Sequence, residues 1–359
     1  MSLAQRQRIY FAILIVIIVG VVAVAATIWF RYGRQFFGPS EFMKGVSYTT
    51  WSARAYASAE SDTTLSQVIK PMGVTWVSII VTCYQEKASS RDINCGTNNT
   101  PTDESLKHAI QYARRQGLRV MLKPHIDLSN DKTHWRGDIE FGTDDAAWRV
   151  WFENYTRMIV RYAQIAQDNG VEYFVIGTEL QGTSHRADQW RAVIKAVRAV
   201  YKGSLTYAAN VEEEHVISWW DALDAIGIDA YYSLTPGNDP SLADLKAAWS
   251  PIVADLEQLS QKWDRPIIFT EIGYRSVNGA NKNPWDSGMS GTVDLQEQAD
   301  CYRAVFEVLK DKSWWRGAFW WNWEPNPSAG GARDVDYTAN NKPAEDVLRF
   351  YYGAAARNK

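Results

Sequence analysis

Two glutamates each close a short apolar run: Val175, Ile176, Gly177, Thr178, Glu179 and Leu180 (VIGTEL), and Ile267, Ile268, Phe269, Thr270, Glu271, Ile272 and Gly273 (IIFTEIG). A carboxylate at the end of a buried strand sits between core and solvent, where burial and neighbours can move its pKa away from that of a second carboxylate. Two such groups facing each other are the minimum equipment for hydrolysing a glycosidic bond. One stays protonated near neutral pH and gives its proton to the leaving oxygen; the other stays ionised and attacks the anomeric carbon. For either glutamate alone, an ion pair with a neighbour such as Arg275, or a helix cap, accounts for it as well. Both together, at strand ends, favour catalysis.

The elements that would hold them alternate between brief β-rich runs and longer stretches of helical spacing, the pattern of parallel strands joined by crossover helices. Strands are expected over 44–50, 74–82, 119–124, 173–178, 204–209, 225–230, 267–271 and 317–322. Helices are expected from Thr102 and Asp103 to Gly117, from Asp144 to Gly170, and over 185–201, 242–263 and 294–311. Eight strands close a barrel, so the predicted fold is α/β, a single (β/α)8 TIM barrel over residues 41–353. The active site of such a barrel lies at the C-terminal ends of its strands, and the mouths of the fourth and seventh can face one another. No G-x-G-x-x-G follows the first strand and no G-x-x-x-x-G-K occurs, so nucleotide binding has little support.

Other residues fall at the same mouth. Lys123, His125 and Asp127 alternate, so an extended chain points all three to one side, either as a patch for sugar hydroxyls or as a buried ion pair. No third ligand stands near His125 and Asp127 at useful spacing, so no metal is expected. Asp229 and Tyr231 share a face beside the seventh strand, and Asn210 follows the fifth as a hydroxyl contact or a turn residue. The chain has 17 Trp, 18 Tyr and 12 Phe, more aromatic surface than a core of this size needs, which suits stacking on sugar rings. Tyr48, Trp51, Trp219, Trp220, Trp320, Trp321 and Trp323 are placed at the mouth, with Trp51 and Trp321 the leading stacking candidates. Trp148, Trp151, Trp190, Trp249 and Trp263 read as helical core. Glu212, Glu213, Glu214 and Glu324 read as solvated, and 276–292 as a long loop over the mouth.

The GTEL and FTEIGY segments on strands four and seven, KPHID on strand three and FWWNWEP on strand eight resemble the clan A glycoside hydrolases, and family 113 most of all. The resemblance runs over about residues 41–353, and its motifs fall in barrel order. It implies a retaining, endo-acting enzyme, typically a β-1,4-mannanase acting on mannan or glucomannan, with Glu179 as acid/base and Glu271 as nucleophile. Their carboxyl groups would then stand about 5 to 5.5 Å apart. It also implies that Tyr231 hydrogen-bonds the nucleophile, with Tyr232 taking that place if the register slips by one residue. Many clan A enzymes carry Asn before the acid/base, where it contacts the sugar 2-hydroxyl; here Thr178 stands there and donates with shorter reach. Another β-glycan, transglycosylation, or a noncatalytic carbohydrate-binding barrel remain the alternatives.

Residues 9–30 are apolar apart from Tyr10 and Thr27, long enough for a transmembrane or signal-anchor helix between a short tail, 1–8, and a linker, 31–40. The favoured reading is a single-pass membrane protein with an extracytoplasmic catalytic domain; cleavage at Ala23, Val24 and Ala25 would make it secreted. Export permits a Cys83–Cys95 disulfide, leaving Cys301 as a buried thiol, and three unpaired thiols is the rival reading. With 38 basic against 41 acidic residues the net charge is −3, which gives no footprint for nucleic acid. A hydrophobic fraction of 46% with 22% charged residues excludes a disordered chain. The expected partners are a polysaccharide or oligosaccharide substrate and, through 9–30, a membrane; no organic cofactor is implied and a monomer is expected.

Overall fold

β-Branched and aromatic runs bounded by turn residues become eight strands in the computed structural model, which describes residues 41–356. They are β1 (Met43–Tyr48), β2 (Trp76–Gln85), β3 (Arg119–Leu128), β4 (Tyr173–Thr178), β5 (Ser204–Ala209), β6 (Ile226–Asp229), β7 (Ile267–Ile272) and β8 (Trp315–Trp323). Each pairs in parallel with the next, and β8 pairs with β1, so the sheet closes into a barrel. The expected transmembrane or signal-anchor helix, its tail and its linker lie outside the described residues. Among the described residues no helix is long and apolar enough to cross a membrane.

Strand positions follow the sequence reading, with β2 and β3 extending further than expected. The two stay in register from Trp76 opposite Arg119 to Gln85 opposite Leu128. At that extension Tyr84 and Asn94 exchange backbone hydrogen bonds of 2.8 Å, and Cys83 and Cys95 form a disulfide, which settles the cysteine alternatives. Cys301 is a free, buried thiol.

The outer layer contains α1 (Ala59–Thr63), α2 (Asp103–Arg115), α3 (Asp145–Asp168), α4 (Gln181–Ser184), α5 (Ala187–Val200), α6 (Glu213–Val216), α7 (Leu242–Trp263), α8 (Leu295–Leu309) and α9 (Pro343–Tyr352). Side-chain oxygens of Thr102, Asp144, Ser241 and Asp294 accept from the first free N–H groups of α2, α3, α7 and α8; Thr102 and Asp144 are the start signals read from the sequence.

Burial divides the tryptophans differently from the expectation. Trp148, Trp151, Trp190 and Trp249 are core, as read from helical spacing, and Trp263 is half-buried. Tyr48, Trp219, Trp220, Trp320 and Trp323, expected at the mouth, are buried as well. Trp219 stacks on Trp190 at 5.1 Å and Trp320 on Tyr302 at 3.8 Å. Successive strand residues point to opposite faces, so on β8 one ring of the pair Trp320 and Trp321 goes outward under the helices, whereas Trp219 and Trp220 lie in and beside a 3-10 turn and are both buried. Trp320 goes under α8 while Trp321 stays half-exposed.

Candidate active site

Glu179 follows the last residue of β4 and adopts a left-handed backbone, φ 53°, with its N–H donating to the Ala208 carbonyl at 2.8 Å. Glu271 is the fifth residue of β7. Both residues are mostly enclosed, at 9% and 5% exposure.

Beneath Glu271 lies a buried cluster. The Lys123 ammonium donates to Glu271 Oε1 at 2.5 Å and to both Asp229 oxygens at 2.8 and 2.9 Å. Tyr231 donates its phenol proton to Glu271 Oε2 at 2.9 Å, and Thr270 donates to Asp229 at 2.7 Å. The other register is excluded by the partner of Tyr232, whose hydroxyl goes to Glu214. His125 Nε2 stands 3.5 Å from Glu271 Oε1, buried and with no hydrogen-bond partner. Of the two readings of the KPHID residues, Lys123 fits the buried ion pair, since it has no exposed surface; His125 is buried beside Glu271, and Asp127 is half-buried.

Glu179 has a cation of its own. Arg136, in a single turn of 3-10 helix (Arg136–Asp138) after β3, donates from Nη1 to Glu179 Oε2 at 2.6 Å. Its Nη2 and Nε hold Asp127 Oδ1 at 2.6 and 3.2 Å, and Nε also reaches the Ile126 carbonyl. Sequence reasoning missed Arg136. The only local signal was an arginine nine residues beyond Asp127 in a loop leaving the mouth. Arg275, the arginine expected to compete for a glutamate, instead donates to the carbonyls of Val335, Ser287 and Met289.

Four carboxylates, Glu179, Glu271, Asp127 and Asp229, therefore share two cations, Lys123 and Arg136. Burial pushes Glu179 above the usual carboxylate range and the charge of Glu271 adds to it, against the pull of Arg136. Burial and the charge of Asp229 push Glu271 up to about 7, opposed by Lys123 and Tyr231. Lys123 stays charged, because its two carboxylate partners outweigh its burial. Burial and both cations hold His125 well below its usual range, hence neutral. An anion-rich pocket of this kind retains a proton near neutral pH and has a donor-held carboxylate to act beside it.

The remaining expected residues sort as follows. Thr178 is buried, its hydroxyl 3.4 Å from the Pro124 carbonyl. Asn210 is half-buried after β5, Trp51 is 44% exposed after β1, and Trp321 is half-exposed on β8. Glu324 and Glu212 are exposed, as expected. Glu213 and Glu214 are not solvated: both are buried, because Tyr207 and Tyr232 donate to them from behind the barrel wall. Burial pushes Glu213 up to about 8.

The sequence profile of Glycoside Hydrolase Family 113 matches residues 46–342. The chain belongs to glycoside hydrolase family 113. It is accordingly an O-glycosyl hydrolase, and its barrel aligns with solved structures of the family. A GH113 β-1,4-mannanase in a complex structure is 29% identical, covering 88% of this chain and 100% of that one, with a TM-score of 0.80. A GH113 β-1,4-mannanase structure is 30% identical over 88% of this chain and 100% of the other, TM-score 0.79. The GH113 β-mannanase AaManA of Alicyclobacillus acidocaldarius, in complex with ManMIm, is 28% identical over 88% and 98%, TM-score 0.79. No match is found among curated proteins.

Proposed function

We propose that this family 113 hydrolase cleaves β-1,4-linked mannan or glucomannan with net retention, Glu179 acting as acid/base and Glu271 as nucleophile. The observation that carries the assignment is the asymmetry of their surroundings. Glu271 receives hydrogen bonds from a buried ammonium and a phenol, which fix its orientation and favour its ionised form. Burial raises both, Glu271 up to about 7, so the difference lies in their partners: Glu179 is held by Arg136 alone, on a loop, which suits a group that must gain and lose a proton.

In the first step Glu271 attacks the anomeric carbon while Glu179 protonates the departing glycosidic oxygen, leaving a glycosyl ester on Glu271 and an ionised Glu179. In the second, Glu179 takes a proton from water, whose oxygen attacks the anomeric carbon and frees Glu271. Lys123 and Tyr231 hold Glu271 through both steps. Trp51 and Trp321 offer faces for sugar rings, and His125, Asp127, Thr178 and Asn210 are the proposed hydroxyl contacts. The substrate class rests on the family and on the mannanases it resembles. The proposal also tethers the catalytic domain outside the cytoplasm through 9–30. Its support is the apolar sequence of that segment and the disulfide of an oxidising compartment.

The test is release of new reducing ends from β-mannan, glucomannan, xylan and β-glucan by wild type, Glu179→Gln and Glu271→Gln, with NMR of the first anomer formed. Mannan cleavage by wild type alone, β-anomer first, supports the assignment. Cleavage of only another glycan discards the substrate, an α-anomer first discards retention, and silence with retained sugar binding makes the chain a binding protein.

A further inference from the structure

Behind Glu179 runs a chain of buried hydrogen bonds from the Leu180 backbone through Tyr207 and Glu213 to the Asn210 backbone. Leu180, the next residue, donates its backbone N–H to the Tyr207 hydroxyl oxygen at 2.7 Å. Tyr207 donates its only proton to Glu213 Oε1 at 2.6 Å, and Glu213 Oε2 accepts from the Asn210 N–H at 2.8 Å. Tyr207 and Glu213 have no exposed surface. The Tyr207 ring lies edge-on to Trp190 and Trp219, 5.2 Å from each, so its hydroxyl has no freedom to swing elsewhere. Gly177 makes room for it: a Cβ there would fall 2.7 Å from the Tyr207 ring.

This chain ends on the one backbone turn that aims Glu179. A non-glycine residue with positive φ is strained and persists only where its surroundings over-determine it. The Glu179 N–H is fixed to Ala208 and the Leu180 carbonyl accepts from both the N–H and the hydroxyl of Thr183. The Leu180 N–H is the remaining backbone donor of the turn, and only Tyr207 receives it. A carboxyl group is suited to the far end, since each of its two oxygens accepts from one donor.

We propose that Tyr207 and Glu213 are positioning residues for the acid/base, locking the left-handed turn at Glu179 so that its carboxyl meets the leaving-group oxygen. The inference rests on Glu179 being the acid/base, as proposed above. Losing the Tyr207 hydroxyl misaims the proton donor while leaving Glu271 and the Glu213–Asn210 hydrogen bond in place, so the loss depends on how much the leaving group needs a proton.

The experiment compares kcat/KM for phenyl and 2,4-dinitrophenyl β-glycosides of the cleaved oligosaccharide in wild type, Tyr207→Phe, Glu213→Gln and Glu179→Gln. Dinitrophenolate departs unprotonated, and phenolate needs the acid. Tyr207→Phe is expected to lower the phenyl value by about tenfold or more and to leave the dinitrophenyl value within about twofold. Glu213→Gln, which turns an amide toward the Asn210 N–H, shifts the two values the same way and provides the readout if Tyr207→Phe does not fold. Equal losses on both substrates, or none, in the folded variants overturn the proposal. If Glu179→Gln itself shows no difference between leaving groups, the acid/base assignment has failed; a split there but not in Tyr207→Phe or Glu213→Gln sinks the lock alone.

Discussion

Arg136 bridges Glu179 and Asp127, 2.6 Å from each, and so ties the end of β4 to the end of β3 through a loop that belongs to neither strand. Its charge favours the ionised form of Glu179 while burial favours the protonated one. A residue that is an acid in one step and a base in the next works best with its pKa close to the operating pH, and opposing influences of this kind are the means of adjusting it.

Replacing Arg136 with Gln removes the larger of the two cationic influences that lower the Glu179 pKa, Lys123 being the other. The protonated form is needed for glycosylation, so the basic limb of the kcat/KM profile is set by Glu179 and is expected to move to higher pH. kcat falls as well, because the carboxyl loses its clamp. A pH profile on mannan oligosaccharides checks this; a basic limb that stays in place or moves down contradicts it.

Lys123→Met leaves Asp229 and Glu271 buried with no cation between them, at a cost of about 3–5 kcal/mol. Asp229 is already pushed up to about 6 and Glu271 up to about 7, and losing the ammonium raises both further. A carboxyl whose folded pKa is raised above its unfolded value destabilises the fold in its charged form. The loss relative to wild type is therefore largest above about pH 7 and shrinks on acidification as the pair takes up protons. Urea unfolding at pH 5 and pH 8 measures it; equal losses at the two pH values contradict the account. In the same variant the acidic limb of activity moves up, since Glu271 must be ionised to attack.

The Cys83–Cys95 disulfide closes a short loop at the far end of β2 and touches neither glutamate. Its removal by Cys83→Ser with Cys95→Ser is expected to cost about 2–4 kcal/mol, mostly by freeing the unfolded chain. Thermal melting with and without reductant reads the loss, while kcat at 25 °C stays close to wild type. A large fall in kcat at a temperature where the variant is folded would tie the loop to the site.

Much of this arrangement is legible in the chain itself. Alternating apolar runs and capped helical stretches specify eight strands and the helices between them, and VIGTEL and IIFTEIG put a carboxylate at the end of two strands, because period and capping are local properties of a few consecutive residues. Parity also put Tyr231 on the face of Asp229, where its phenol meets Glu271. Closure of the barrel decided the rest. Arg136 reaches Glu179 across 43 positions, and Tyr207 reaches Leu180 across 27, partnerships that no local pattern encodes. Which of two adjacent rings leaves the mouth depended on the absolute orientation of the strand, so the sequence placed Trp320 there beside Trp321, its favoured stacking ring, and only the closed barrel turned Trp320 under α8. Glu213 and Glu214 read as solvated because charge is normally hydrated, and only the packed tyrosines behind the wall make burial affordable.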